Sequence, residues 1–353
     1  MTQIDYEKVR NAFLAELKKA SLGKPSSISF IRNILPHKPA IFDKTHAQAL
    51  VIGGTYFETA CAEVSPDGTI QNLTKRTTGT VPNFADAATF LSFVANHLDP
   101  SAKALAINLA YGIEPIGVFD GKVTHGAKEH AFQGLFNKPL VTTIQQYLGK
   151  EIPIKVANDT TCLTLAGTGD GLVVGSGFNI GIKVVEEGKP IVVNLEAGSF
   201  NKFEATEELE IIDNNSVHPG KSRFEKMLSG VYLPHQYNLI AQAQGLAVPH
   251  VDNGEILTTL AERNTDDSGQ LARDLLERSA FLIAASLAAV YDFKERIPLN
   301  FTTEGSLFGK GWRYEQNVQK QLTALGVPEG KITFKEEPDS AIKGAFSLLT
   351  RIT

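Results

Sequence analysis

The stretch "GLVVGSGFNIGIKVVEEGKPIVV", residues 171–193, decides how this chain folds. It reads as a strand, a glycine-rich turn at Gly175-Ser176-Gly177, a returning strand, a tight turn at Glu187-Gly188 and a third strand. The same order occurs earlier. "ALVIGGTYFETACAEV", residues 49–64, is a strand turned at Gly53 and Gly54 that resumes as a strand, and "SPDGTI" supplies a second turn at Asp67-Gly68. Two glycine-turned hairpins, each followed by another tight hairpin, point to an internal repeat of two α/β halves, each presenting one glycine-rich turn.

The segments around these hairpins fit that frame. Val9, Phe13 and Leu17 recur every four residues in an opening helix that Gly23 and Pro25 stop. "FADAATFLSFVANHL" has helical spacing at Phe84, Ala88, Leu91, Ala95 and Leu98, and "KPLVTTIQQYL" is a helix with Pro139 near its start. "KALAINLAY" and "IPIKVA" read as buried strands. A long helical stretch from about 268 to 296, a strand "IPLNFTTEG", a helix from about 313 to 325, a strand "KITFKEE" and a closing helix from about 340 complete the pattern.

The bulk composition sets limits. The chain has 353 residues, enough for two domains, with 42% hydrophobic and 21% charged residues. A net charge of −5 argues against a sequence-independent grip on nucleic acid, which needs clustered cations against phosphates. Cys61 and Cys162, the two cysteines, are too few for a disulfide scaffold or a cysteine-rich metal site, and a reducing compartment suits them. The first twenty residues carry charges throughout, unlike a signal peptide, and "FLIAASLAAVY" is too short to span a membrane. A cytoplasmic protein is the expectation, with no membrane partner and no metal-ligand spacing of His, Cys, Asp or Glu.

Five stretches could carry chemistry. In "VANDTTCLTLAG", Asn158 or Asp159 can cap the helix that follows; a carboxylate at a strand-to-helix junction also sits where α/β proteins bind ligands, and could act as a general base. In "VVNLEAGSF", Glu196 interrupts an apolar run, either as an exposed turn residue before Gly198 or as an acceptor for substrate hydroxyls. In "SVHPGKSRFEKMLSGVYL", Glu225 and Lys226 fit an ordinary solvated helix face, and His218 beside Pro219 fits a loop. "TTEGSLFGKG" and "EEPDSAIKGAFSLL" are glycine/serine turns before helices, able to bring N–H groups to a nucleotide.

In this order, "NDTT", "GLVVGSGFN", "VVNLEAGSF" and "HPGKSRFEKMLSGVYL" resemble the hexokinase family of sugar kinases, with residues 224–232 the most specific match. The resemblance runs from "SSISFIRNILP" to "IKGAFSLL", nearly the whole chain. It implies an actin-like, RNase H-like duplicated fold of two lobes with a nucleotide and sugar cleft between them. The boundaries it suggests are an N-terminal helix and connection (1–46), a small lobe (47–157 plus about 340–353) and a large lobe (158–339). It implies ATP-dependent phosphorylation of a hexose 6-hydroxyl with ATP and Mg²⁺. A non-catalytic sugar-binding sensor is the alternative.

The same resemblance implies roles. Asp159 is the base; Asn158, Asn179, Glu196 and Glu225 read the sugar hydroxyls, with Lys128 as a further sugar contact and Lys122 as the other lysine that could fill that place. Gly53, Gly54 and Thr55 form the first phosphate turn, Ser176 and Gly177 the second, and Gly305 and Ser306 the adenosine-side turn. The first turn departs from the family pattern D-x-G-G-T-N-[FY]-R. Val51 stands for the acid that supports Mg²⁺, Tyr56 for the Asn and Glu58 for the phosphate-facing Arg. An Arg-to-Glu exchange reverses an interaction of about 4 kcal/mol per unit pair at intermediate dielectric. Ala110 and Tyr111 depart from the family's sugar loop, and Ala197 replaces its Trp.

Overall fold

A computed structural model describes residues 4–54, 56–123 and 131–350. Thr55 and Lys128 lie outside the described residues. The chain divides into two compact units. One comprises Met1–Phe30, Leu172–Ile180 and Leu195–Glu336; the other comprises Ile31–Gly171, Gly181–Asn194 and Glu337–Thr353.

The second unit is built on a five-stranded sheet. In chain order its strands are Thr45–Ile52, Tyr56–Val64, Ile70–Thr80, Ala104–Leu109 and Ile154–Asn158, and across the sheet they stand third, second, first, fourth, fifth. The first three are antiparallel, joined by the hairpins that glycine punctuates, and the last two run parallel to Thr45–Ile52. Strand residues alternate between two cores. Leu50, Ile52 and Phe57 face a cluster with Phe84, Phe90, Phe93 and Phe132. Ala47, Ala49, Ala60 and Ala62 face Ile342, Ala345 and Phe346 of the closing helix Ser340–Ser347.

The duplication read from the two hairpins is present in the topology. In a second sheet, Asp170–Val174, Phe178–Glu186, Lys189–Asn194, Leu299–Glu304 and Ile332–Glu336 again stand third, second, first, fourth, fifth, with Ile31–Ile34 added beside Lys189–Asn194. The turn between Phe178–Glu186 and Lys189–Asn194 has both central residues left-handed, Glu187 at φ 51° and Gly188 at φ 75°. That pair of angles matches the right-handed twist of the flanking strands.

The first unit is mainly helical. Helix Asp267–Phe293 is buried along most of its length; helix Tyr6–Ser21 packs on it, with Tyr6 edge-on to Phe281, and buries Val9, Phe13 and Leu17. The predicted helix after Phe84 is Ala87–His97, but its buried side is Phe90, Leu91, Phe93 and Val94; Ala88 is exposed. The bulkier side chains have claimed the core, because burial scales with apolar area.

Candidate active site

Asp159 begins the helix Asp159–Ala166, directly after the strand Ile154–Asn158. The capping role belongs to Asn158. Its Oδ1 accepts from Thr160 N–H at 3.0 Å and from Asn194 Nδ2 at 3.0 Å, while its own Nδ2 donates to Tyr111 O at 3.2 Å. Asn158 is thus buried and holds the junction through three hydrogen bonds. Asp159 is half-buried, and its Oδ1 accepts from the N–H and hydroxyl of Thr160 at 2.7 and 3.3 Å. Its Oδ2 has no hydrogen bond among the described residues.

Three glycines seat that helix. A Cβ at Gly171 or Gly181 would stand 2.5 or 2.2 Å from Thr164 Oγ1, and one at Gly344 would stand 2.1 Å from the backbone oxygen of Cys162. Only glycine permits backbones to approach this closely. The resemblance to the family's closing G-K-G-A-A therefore has a packing reason.

In the other unit, the proposed sugar-reading residues gather around the second glycine turn. Glu225 lies in the first turn of helix Arg223–Leu228, and its Oε2 accepts from Phe178 N–H at 3.1 Å. Asn179 Oδ1 accepts from Ile180 N–H at 2.8 Å and Ala197 N–H at 3.0 Å, so one amide fixes the turn that carries Glu196. Glu196 is itself left-handed, at φ 46° and ψ 46°, ahead of the 3-10 turn Ala197–Ser199. Gly177 and Gly198 are both pressed against Glu225: Cβ atoms there would stand 2.9 Å from its Oε2 and 3.0 Å from its Cβ. Ala197 is fully buried, which explains why no larger side chain replaces the family's Trp without rearrangement.

Glu225 and Lys226 are not a shared solvated face. Lys226 is buried, with Nζ 2.5 Å from Asp213 Oδ1, 2.8 Å from Ser216 Oγ and 2.9 Å from His218 O. Burial pushes the Asp213 carboxyl up, but Lys226 and the Gly220 N–H outweigh it and hold the group below its ordinary range. His218 contributes only its carbonyl to this network. Helical spacing could not show that position 226 turns inward onto a partner thirteen residues earlier.

The remaining turns of this unit meet through backbone. Gly175 N–H donates to Gly177 O at 2.9 Å across Ser176, and Gly230 N–H donates to Gly175 O at 2.8 Å. Gly305 has φ 114°, and a Cβ there would stand 2.3 Å from Val174 O. Ser176 and Ser306 are both exposed. Ser176, Gly177, Gly305 and Ser306 thus belong to one glycine-walled cradle that takes in Gly175 of the predicted turn and also Gly230. The signal for Gly230 was its place in "KMLSGVYL".

Gly53 closes the first glycine turn, its N–H donating to Tyr56 O at 2.9 Å. A Cβ at Gly53 would stand 2.8 Å from that same oxygen, so glycine is required. Tyr111, one of the departures from the family loop, supports it: its buried hydroxyl donates to Gly53 O at 3.1 Å, and burial pushes the phenol above its usual range. Val51 packs with the alanine-rich cluster under the closing helix. Glu58, paired across the strands with Val51, lies 3.7 Å from Arg76, whose other arm binds Asp339 at 2.6 Å. The charge of Glu58 is therefore compensated from the neighbouring strand. Lys122 lies in the short hairpin strand Gly121–Val123, paired with Glu114.

Comparison with known proteins agrees with this architecture. A family profile described as Hexokinase matches residues 171–244, the region of the second glycine turn, Asn179, Glu196 and Glu225. Human Hexokinase-1 is 26% identical over 252 residues, which cover 54% of this chain and 27% of that protein. The match therefore spans about a quarter of the relative's length. The solved hexokinase of Schistosoma mansoni complexed with glucose aligns over 98% of this chain and 94% of that one, with a TM-score of 0.78 and 18% identity. A ROK family glucokinase from Streptomyces griseus in complex with glucose and AMPPNP aligns over 86% and 98%, with a TM-score of 0.52 and 16% identity.

The fold is the duplicated, actin-like architecture of sugar kinases. Within that class, the family profile and the curated relatives are similar to this chain over part of its length, and the solved hexokinases share its fold. Among the described residues, no helix is long and apolar enough to cross a membrane.

Proposed function

We propose that the chain is an ATP-dependent hexose kinase that phosphorylates the 6-hydroxyl of a glucose-like sugar, with Asp159 as general base. The observation that carries this reading is the gathering of Asn179, the Glu196 turn and Glu225 around one glycine-walled loop by the hydrogen bonds to Ala197 and Phe178. Two carboxylates and an amide at fixed spacing suit a polyol, since each unpaired polar group rejects a sugar lacking its partner. Asn158 holds the Asp159 junction and would offer its remaining amide N–H to a sugar hydroxyl. Lys122 or Lys128 would add a cation to the sugar's rim.

Phosphoryl transfer needs positioning more than covalent help. Asp159 takes the proton from the accepting hydroxyl as its oxygen forms the bond to the γ-phosphorus and ADP departs. Gly175, Gly177, Gly230 and Gly305 let these turns pack backbone against backbone, and the exposed Ser176 and Ser306 beside them would meet a nucleotide. Gly53, Gly54 and Thr55 would approach a phosphate by backbone. The first turn does not fit Mg²⁺ in the family's manner: Val51 packs in an apolar cluster and offers no ligand. No step is assigned to metal there. Cys61 and Cys162 are buried and form no disulfide, which suits a cytoplasmic setting.

The test is ADP formation with a panel of hexoses and nucleotides, beside Asp159→Asn. Asparagine keeps the Oδ1 that accepts from Thr160, so the variant should stay folded while sugar-dependent turnover falls about 10²–10⁴-fold. Turnover unchanged by the substitution excludes Asp159 as base. Sugar binding without turnover in the native protein supports a sensor instead.

A further inference from the structure

The two strands that flank the Gly53 turn carry a second cluster at their opposite end. One imidazole nitrogen of His46, Cys61 Sγ and a carboxylate oxygen of Asp99 lie within 4.8 Å of one another. Strand pairing brings them together. His46 faces Glu63 and Gln48 faces Cys61 in the register, so His46, Cys61 and Glu63 share one face of the sheet. Asp99 arrives from the connection after helix Ala87–His97, held by Gln48, whose Oε1 accepts Asp99 N–H at 2.7 Å and whose Nε2 donates to His97 O at 2.6 Å. No local spacing announces the set, because its members come from three separate segments.

From this geometry we infer a binding site for one divalent cation of the zinc class, with Cys61, His46 and Asp99 as protein ligands. Thiolate, imidazole and carboxylate together are a borderline-soft donor set that suits zinc. Ligand atoms on one tetrahedral zinc stand about 3.2–3.7 Å apart. Cys61 Sγ and Asp99 Oδ2 are already 3.6 Å apart, at the spacing of one tetrahedron edge. Glu63 Oε1 lies 3.2 Å from His46 Nδ1, the carboxylate–imidazole contact that orients a ligating ring. Cys61 is buried, whereas the side chains of His46 and Glu63 are 29% and 31% exposed, which gives the ion a way in. On binding, the Cys61 thiol gives its proton to solvent and the S–H hydrogen bond to Asp99 is replaced by two metal bonds.

The site is distinct from the proposed kinase machinery. His46 and Glu63 pair six positions from Ile52 and Phe57, about 20 Å along the strand at 3.3 Å per residue. An ion there would clamp the open end of the hairpin to the segment leading into Ala104–Leu109, so its effect is on stability, independent of any sugar chemistry.

Titration of the full chain with Co²⁺, as a spectroscopic substitute, tests it. One equivalent should produce a thiolate-to-cobalt charge-transfer band that Zn²⁺ displaces, retained in Cys162→Ser and lost in Cys61→Ser. Glu63→Gln, which leaves all three ligands in place, should weaken affinity about 10–100-fold. His46→Gln should weaken it at least as much, and this half-buried position keeps the test open if Cys61→Ser misfolds. Absence of the band in the native protein, its survival in Cys61→Ser, or native affinity in both His46→Gln and Glu63→Gln overturns the site.

Discussion

Glu58 shows how a single substitution is absorbed by its neighbours. Read along the chain, it places a repulsive charge where a phosphate is expected, and restoring Arg there looks like a repair. In three dimensions Arg76 stands 3.7 Å away and Asp339 closes the group. An arginine at 58 would meet Arg76 and leave Asp339 with two cations, so Glu58→Arg alone should not improve nucleotide use. Arg76→Gln isolates the Glu58 charge near the Gly53 turn and should raise KM for ATP several-fold with little change in kcat. Glu58→Gln should lower it. Steady-state kinetics at constant ionic strength reads both, and equal KM values in the two variants would show that this charge is not felt by the nucleotide.

Another residue-scale consequence concerns acid stability. Glu16 is buried, and burial alone would raise its pKa; Lys19 at 2.6 Å, Ser27 N–H at 2.6 Å and Ser26 outweigh this and hold the group down at about 2. A carboxylate depressed in the folded state contributes its full stability above its ordinary value of 4.5 and loses it as pH falls toward 2. Urea melts between pH 7 and pH 3 should show Glu16→Gln less stable by about 1–3 kcal/mol at neutral pH. Its stability should also fall less steeply below pH 4.5. Parallel pH profiles would mean that Glu16 keeps the same pKa when the chain unfolds.

At the scale of elements, glycine explains why some features were readable and others were not. Tight turns at Asp67-Gly68 and Glu187-Gly188 leave a local signature, since positive φ is nearly free only for glycine. The helices Tyr6–Ser21, Tyr314–Ala324 and Ser340–Ser347 carry local periodicity and stop signals and fall where expected. Gly171, Gly181 and Gly344 have no such signature, because their need arises from Thr164 and Cys162 arriving from elsewhere. The buried Lys226–Asp213 pair and the His46–Cys61–Asp99 cluster are likewise products of tertiary approach. Gly344→Ala should force the closing helix off the helix that bears Asp159. Overpacking of this kind costs about 1–3 kcal/mol, and the base should shift with its helix, lowering kcat as well. Denaturation and kinetics on one preparation check this. Lost stability with native kcat would mean that Asp159 is positioned without this contact.

For the molecule as a whole, the repeated strand order third, second, first, fourth, fifth could be anticipated from two hairpins, because both copies keep their glycines. Which acids the fold gathers at one turn could not. Glu196 and Glu225 are defined by the amide of Asn179 and the N–H of Phe178, contacts made across segments tens of residues apart. Their joint role is open to a binding measurement that does not depend on turnover. A ligand at a hundred times its Kd stabilises the folded state by about 2.7 kcal/mol, which for a chain of this length is a rise of a few degrees in Tm. A glucose-like hexose should give that rise in the native protein and in Asp159→Asn, since the base contributes to chemistry more than to affinity. Glu225→Gln should lose most of it: its amide can still accept from Phe178 N–H, but the charge that strengthens bonds to sugar hydroxyls is gone. Glu196→Gln should behave alike. A full shift in both variants would place the sugar away from the second glycine turn, and the kinase reading would fall with it.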